Sequence, residues 1–445
     1  MIFKNTKERR KIMKLSKYNF AFNNGENEKH ILYNSMTNSL ALIDNEKYGV
    51  YRKYENGEVE NLDSDLIEDL YKGGFIVDND FDELKELELR LLHGRFSSNS
   101  LGLTLAPTSD CNFRCIYCYE KDVIKPTYMT EEVQDAIINL VEQRKNTIKN
   151  LDISWYGGEP LLGLPIIERL SEKLIRLCEE NGIQYSAGII TNGYLLSRKN
   201  VELLNKCKVS FYQITLDGDK ETHDQRRFLK NKLGTFDKII SNLKECYDLL
   251  PTVSLRVNID KTNSNSIDNI IEILEENHLE DKIKPYLGKV TNDNECHIDS
   301  ICFTTKEFSE IDLKYIEKHQ NKIDWQTKYP SIRSNFCSAD CTNAYVINSD
   351  GLIYKCWNDI GYIEKSIGNI MKGERANPEL YYGYMLYNPI KNEVCSRCKF
   401  LPICMGGCPN NRRKGGEENC TGYKEKLQNY LEFVVNKILD EKEKV

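Results

Sequence analysis

Residues 109–122 read SDCNFRCIYCYEKD and put Cys111, Cys115 and Cys118 on one short segment. Three thiolates are one short of the four that saturate a tetrahedral zinc ion or a 4Fe–4S cube, so a centre held here keeps one position open to a small molecule. The segment directly follows LGLTLAP, an apolar, strand-like run from Leu101 to Pro107. In folds built from repeated β–α units, functional groups gather where the strands end, which is where the triad falls. Metal ligation is the reading of the triad. Its alternatives are three ordinary buried cysteines or a zinc site completed from a distance.

Five more strand-like runs follow LGLTLAP: LDISWYG, YSAGIIT, VSFYQITLDG, TVSLRVNID and KIKPYLGKV. They alternate with helical stretches such as EEVQDAIINLVEQRK and FDKIISNLKECYDLL. Alternation of this kind implies an α/β fold with a parallel sheet covered by its crossover helices. Six units are too few for a closed eight-stranded barrel, so residues 96–320 read as an open, partial (β/α)6 barrel. Before it, residues 1–95 read as a small α+β domain: KHILYNSMTNSLALID suggests a hairpin around SMTN, followed by two short helices, the strand-like FIVD and an amphipathic helix. After the barrel, residues 330–425 show little periodicity and read as loop-rich, and residues 426–445 as a final helix.

The 445 residues carry 40% hydrophobic content and a net charge of −7, which offers no basic field to a nucleic-acid backbone. No apolar run reaches membrane-spanning length, and the basic N-terminus lacks the apolar stretch of a secretory signal, so the expected setting is cytoplasmic. There, sixteen cysteines suggest metal ligation rather than a disulfide framework. None precedes Cys111, and eight lie between Cys337 and Cys420.

CNFRCIYC, with its Cys-x3-Cys-x-aromatic-Cys spacing, resembles the signature of the radical SAM superfamily. Later strand ends match in order: Gly157-Gly158-Glu159-Pro160 after the second strand, Thr191-Asn192-Gly193 after the third, and Thr215-Leu216-Asp217-Gly218 after the fourth, followed by Arg226 and Arg227. The resemblance implies that Cys111, Cys115 and Cys118 hold a 4Fe–4S cluster whose open iron chelates S-adenosylmethionine. Electron transfer then breaks the C5′–S bond, and the 5′-deoxyadenosyl radical abstracts a hydrogen atom from the substrate. It also implies cofactor contacts at Tyr117, Gly157, Gly158, Glu159, Thr191, Asn192, Thr215, Asp217 and Arg227.

The C-terminal cysteines run Cys341, Gly351, Cys356, then Cys395-x2-Cys398-x5-Cys404-x3-Cys408 and Cys420. This pattern is similar to the seven-cysteine SPASM domain, which carries two auxiliary 4Fe–4S clusters, making three clusters in all. The resemblance assigns Cys395, Cys398, Cys404 and Cys420 to the outer cluster and Cys341, Cys356 and Cys408 to the inner one, with Cys337 as a candidate fourth ligand. A zinc ribbon is the alternative, but eight cysteines do not suit one zinc ion. Of the five remaining cysteines, Cys178, Cys207 and Cys246 fit apolar helical patterns and read as core, while Cys296 and Cys302 lie in a loop.

Two branches of SPASM proteins are then comparable. Anaerobic sulfatase-maturing enzymes, which make formylglycine, carry an aspartate base directly after the Gly-x4-Cys cysteine; here Trp357 occupies that position and the nearest carboxylate is Asp359. The segment of about a hundred residues before the triad resembles instead the winged-helix-like recognition element of ribosomal-peptide maturases, which captures a leader peptide by strand addition. The expected function is cross-linking of a precursor peptide, thioether favoured over carbon–carbon, with flavodoxin or ferredoxin as electron donor. Formylglycine generation and a non-catalytic, metal-stabilised binding protein are the alternatives. No general base is assigned.

Overall fold

The computed structural model describes residues 13–24, 29–58, 64–292, 300–372, 377–413 and 420–443. The chain forms two compact units that do not follow chain order. One comprises Met1–Arg95, Trp325–Cys337 and Tyr387–Val445; the other comprises Phe96–Asp324 and Ser338–Leu386.

In the first unit, β1 (Met13–Leu15) pairs with β5 (Ile76–Asp78), and β2 (Asn19–Asn24), β3 (Lys29–Asn34) and β4 (Ser39–Asp44) form an antiparallel sheet in that order. The expected hairpin is present, with Ser39 opposite Asn34. Helices α1 (Asn45–Glu55), α2 (Ser64–Lys72) and α3 (Glu83–Phe96) follow; α1 starts where the Asp44 side chain accepts from the Lys47 amide. Strand alternation sends Leu32 and Ile43 to one face, where they pack with Tyr51, Leu66 and Leu70. Ile31 and Tyr33 point the other way and pack against Leu427, Leu431 and Val435 of the C-terminal helical segment Tyr423–Glu443. The same unit joins Phe20 to Phe400 edge-on at 4.8 Å and the Ser35 hydroxyl to the Lys399 carbonyl at 2.6 Å. The C-terminal cysteine-rich stretch therefore has an apolar partner, which its weak periodicity does not reveal.

The second unit holds, among the described residues, a nine-stranded sheet of order β11-β10-β9-β8-β7-β6-β12-β13-β14. Six parallel strands are those read from the sequence: β6 (Ser100–Leu105), β7 (Asn150–Trp155), β8 (Gln184–Thr191), β9 (Val209–Thr215), β10 (Val253–Ile259) and β11 (Ile283–Lys289). Their connections carry α4 (Glu131–Glu142), α5 (Leu164–Asn181), α6 (Arg198–Lys206), α7 (Lys220–Arg226), α8 (Phe236–Glu245) and α9 (Asn269–Glu276), and α10 (Thr305–His319) follows β11. Residues such as Leu151, Ile189, Ile214, Leu255, Leu174, Leu243 and Ile270 pack into one apolar core. The partial barrel is thus present. Three strands were not expected: β12 (Ala344–Ile347) runs parallel to β6, and β13 (Leu352–Tyr354) and β14 (Gly368–Asn369) continue the sheet antiparallel. Gly351, at φ +77°, makes the turn between β12 and β13. No helix among the described residues is long and apolar enough to cross a membrane.

Leu431 is fully buried against the N-terminal sheet. Leu431→Ala should destabilise the first unit by about 2–5 kcal/mol, read as an earlier urea transition. An unshifted transition would contradict the packing.

Candidate active site

The triad loop is built by backbone bonds to the segment after α7. The Arg114 amide donates to the Phe228 carbonyl at 2.8 Å and the Ile116 amide to the Arg226 carbonyl at 3.0 Å. Within the loop the Phe113 amide donates to Cys111 Sγ at 3.4 Å. Burial raises all three thiol pKa values, and the proximity of the sulfurs to one another raises those of Cys111 and Cys118 further. Glu120, 7% exposed, is pushed up to about 8 by burial. No three His, Cys, Asp or Glu side chains among the described residues converge as ligands of a single metal ion. A four-iron cube asks for a different geometry, since each thiolate binds a different iron.

Around the loop the strand ends form a connected frame. Gly157 takes φ +105°, and a Cβ on Gly158 would lie 2.1 Å from the Asp110 carbonyl oxygen, so only glycine lets the two backbones meet. The Glu159 amide donates to that same carbonyl at 2.8 Å. The Glu159 carboxylate, 1% exposed, accepts from the Thr191 hydroxyl at 2.6 Å, the Asn192 amide at 2.8 Å and the Leu161 amide at 3.1 Å. Burial raises its pKa, and these bonds oppose the rise. The Asn192 side-chain amide then donates to Asn112 Oδ1 at 2.8 Å, closing the circuit onto the triad loop.

The fourth-strand residues form a buried charge cluster. Arg226 donates to Asp217 at 3.2 Å, to Asp260 at 2.8 Å and to the Thr262 hydroxyl at 2.7 Å. Its guanidinium lies over the Tyr117 ring, and the Tyr117 hydroxyl accepts from Arg227 at 2.8 Å and Asn258 at 3.0 Å. Burial pushes the Tyr117 pKa well up. Thr215, at 7% exposure, ends β9 beside this cluster. The structure thus places Tyr117, Thr215, Asp217 and Arg227 in one quarter, and Gly157, Gly158, Glu159, Thr191 and Asn192 in another. Asn112, Asn258 and Asp260 also belong to the network and were not singled out in the sequence. A signal existed for Asn258, which sits on the polar side of the alternating β10.

These residues suit S-adenosylmethionine. Arg227 Nε and Asn112 Nδ2 are buried donors with no hydrogen-bond partner among the described residues, and the Gly157–Gly158 turn closes directly on the triad loop beside Asp110. Buried donors left unmet by the protein match a ligand rich in acceptor oxygens and nitrogens.

The C-terminal cysteines divide between the units. In the first unit, burial raises the Cys395 thiol, a hydrogen bond with Tyr387 opposes the rise, and the charges of Cys404, Cys398 and Cys420 add to it. Cys337 and Cys408 belong to the same unit. Cys341 and Cys356 belong to the half-barrel unit, where Lys355 donates to the Cys341 carbonyl at 2.5 Å. Cys178, Cys207 and Cys246 are buried core residues, as read, and Cys296 lies outside the described residues. Trp357 packs on Tyr156 at 4.9 Å, and Asp359, 2% exposed, accepts from the Tyr384 hydroxyl at 2.9 Å.

Residues 105–274 match the radical SAM superfamily, and the chain is an enzyme that carries a radical SAM domain there. Over 353 residues it is 24% identical to a cysteine-type anaerobic sulfatase-maturating enzyme of Clostridium novyi, covering 70% of this chain and 89% of that protein. It is 24% identical to the radical SAM cyclopropyl synthase TigE of Paramaledivibacter caminithermalis, covering 86% and 83%. Among solved structures, Streptococcus suis SuiB bound to its precursor peptide SuiA aligns over 90% of this chain and 97% of its own, at a TM-score of 0.53 and 16% identity.

Gly158→Ala should push the Asp110 carbonyl away and displace the triad loop. Affinity for S-adenosylmethionine should fall at least about tenfold in the iron-reconstituted protein, a loss of ~1.4 kcal/mol or more. An unchanged dissociation constant would show that this contact does not shape the site.

Proposed function

We propose that this enzyme modifies a ribosomally made precursor peptide, and that the modification is a cross-link. When bound at Cys111, Cys115 and Cys118, a 4Fe–4S cluster with S-adenosylmethionine supplies the 5′-deoxyadenosyl radical that takes a hydrogen atom from the substrate. The chain's own part is positional. Gly157 and Gly158 let the turn after β7 close on the triad loop, Arg227 and Asn112 offer unmet donors, and the Asp217–Arg226–Asp260 cluster holds Tyr117 and Arg227 in place. Cys395, Cys398, Cys404 and Cys420 are proposed as ligands of an outer auxiliary cluster, and Cys341, Cys356 and Cys408, with Cys337, as those of an inner one. Residues 1–95 are proposed to take the leader peptide, since the sheet of the first unit ends in β2 and β4, two edges suited to strand addition. A flavodoxin- or ferredoxin-like protein is the proposed electron donor.

The observation that carries this reading is coverage. The likeness to TigE and to peptide-bound SuiB extends over 86% and 90% of the chain, into the segment before the barrel, whereas the sulfatase-maturating relatives cover from 70%, for that of Clostridium novyi, to 76%. Those relatives still favour a second reading, formylglycine generation. Against it, Trp357 directly follows Cys356, and Asp359 is buried with the Tyr384 hydroxyl upon it.

The test is anaerobic incubation of the reconstituted enzyme with the precursor peptide encoded beside its gene. The product should be lighter by two hydrogens per cross-link and, for the favoured thioether, should lose one alkylatable thiol per bond. The same mass loss with every thiol retained would mean carbon–carbon coupling. An aldehyde at Cys or Ser would establish the formylglycine reading instead.

A further inference from the structure

Strand β10 has two unlike faces. Val253, Leu255, Val257 and Ile259 are buried in the apolar core, while the alternate residues Ser254, Arg256 and Asn258 are half-buried on the opposite face. Arg256 is fixed along its length there. Its Nε donates to Asn258 Oδ1 at 2.7 Å, and its guanidinium lies 5.9 Å from the centre of the Tyr286 ring. Tyr286 is itself held, its hydroxyl donating to Gln213 Oε1 at 2.7 Å. On β11, Gly288 leaves the room the guanidinium occupies, since a Cβ there would lie 2.7 Å from its central carbon.

What Arg256 lacks is an anion. Among the described residues it forms no ion pair, and its two terminal nitrogens donate to nothing. The other two arginines of the region are engaged: Arg226 lies between Asp217 and Asp260, and Arg227 donates to Tyr117. Holding an unpaired guanidinium half-buried is costly, and a rigid planar fork with both ends open is the geometry that receives a carboxylate in two parallel hydrogen bonds. Its place is at the reacting end of the barrel. Asn258, which holds Arg256, also donates to the Tyr117 hydroxyl, and the Arg256 charge acts on the phenol of Tyr156, the residue before the Gly157–Gly158 turn.

We propose that Arg256 is a carboxylate anchor of the substrate site, a binding residue that aligns its ligand beside the cofactor. The inference rests on the peptide-modifying function proposed above. Two ligands of that reaction carry carboxylates: the peptide, through an acidic side chain or its terminus, and S-adenosylmethionine, through its methionyl end. The peptide is the source the position favours, because Arg226 and Arg227 already flank Tyr117.

The experiment compares wild-type, Arg256→Gln and Arg256→Lys enzymes, all reconstituted with iron and sulfide. Dissociation constants are measured for S-adenosylmethionine alone and for the precursor peptide encoded beside the gene. A second peptide has every Asp and Glu replaced by its amide and a C-terminal carboxamide. Arg256→Gln should weaken binding of the natural peptide about ten- to hundredfold. Arg256→Lys, a point charge without the fork, should restore part of the loss. The amidated peptide should bind wild-type enzyme as weakly as the natural peptide binds Arg256→Gln, with no further loss when both changes are combined. That peptide arm leaves the protein unaltered, so misfolding of a variant cannot produce its result. A loss confined to S-adenosylmethionine would assign the carboxylate to the cofactor. Equal affinities of wild-type and Arg256→Gln for both ligands would overturn the proposal. A wild-type enzyme that neither binds nor modifies the peptide would instead refute the peptide-modifying function.

Discussion

The site depends on one close backbone approach. Gly158 lies against the Asp110 carbonyl with no room for a side chain, and the Glu159 amide donates to the same oxygen. This contact fixes the turn after β7 to the loop that carries Cys111, Cys115 and Cys118. Glu159 extends the constraint, because its buried carboxylate clasps Thr191 and the Asn192 amide at the end of β8. Asn192 returns it to Asn112 in the triad loop. Three segments far apart in sequence thereby become one rigid frame. A carboxylate used this way is satisfied by protein donors and ties the two strand ends together.

The second half of the site is held by charge. Asp217 and Asp260 are fully buried and share Arg226. Removing one carboxylate would leave a buried cation partly unpaired, a change that costs several kcal/mol. The consequence for function is orientation, since Arg226 supports the Tyr117 ring and Tyr117 in turn receives Arg227 and Asn258.

The six barrel strands and the order of the motifs were legible because parallel strands buried on both faces leave long apolar runs, each ending in an identifiable turn. The triad and the Gly157–Gly158 turn were legible for a different reason: sulfur and missing side chains are chemically distinct. What escaped was long-range pairing. AYVINSDGLIY carries a turn signal at Asp350-Gly351 between two apolar runs, yet nothing local says that β12 joins β6. The packing of Leu427, Leu431 and Val435 on Ile31 and Tyr33 joins residues about four hundred positions apart and leaves no local trace. It also means that the N-terminal sheet and the C-terminal helix share one core, so deleting residues 1–95 would strip that helix of its partner. The charge role of Asp260 was hidden likewise, because only the folded sheet brings it to Arg226.

The central claim is that the triad loop holds the centre at which S-adenosylmethionine is cleaved. Replacing Cys111, Cys115 and Cys118 together by Ala and measuring iron and 5′-deoxyadenosine in the same reconstituted sample tests it directly. The account predicts that iron falls from about twelve to about eight atoms per chain, as one of the three proposed cubes is lost, and that no 5′-deoxyadenosine forms. Continued formation of 5′-deoxyadenosine by the triple variant would contradict it.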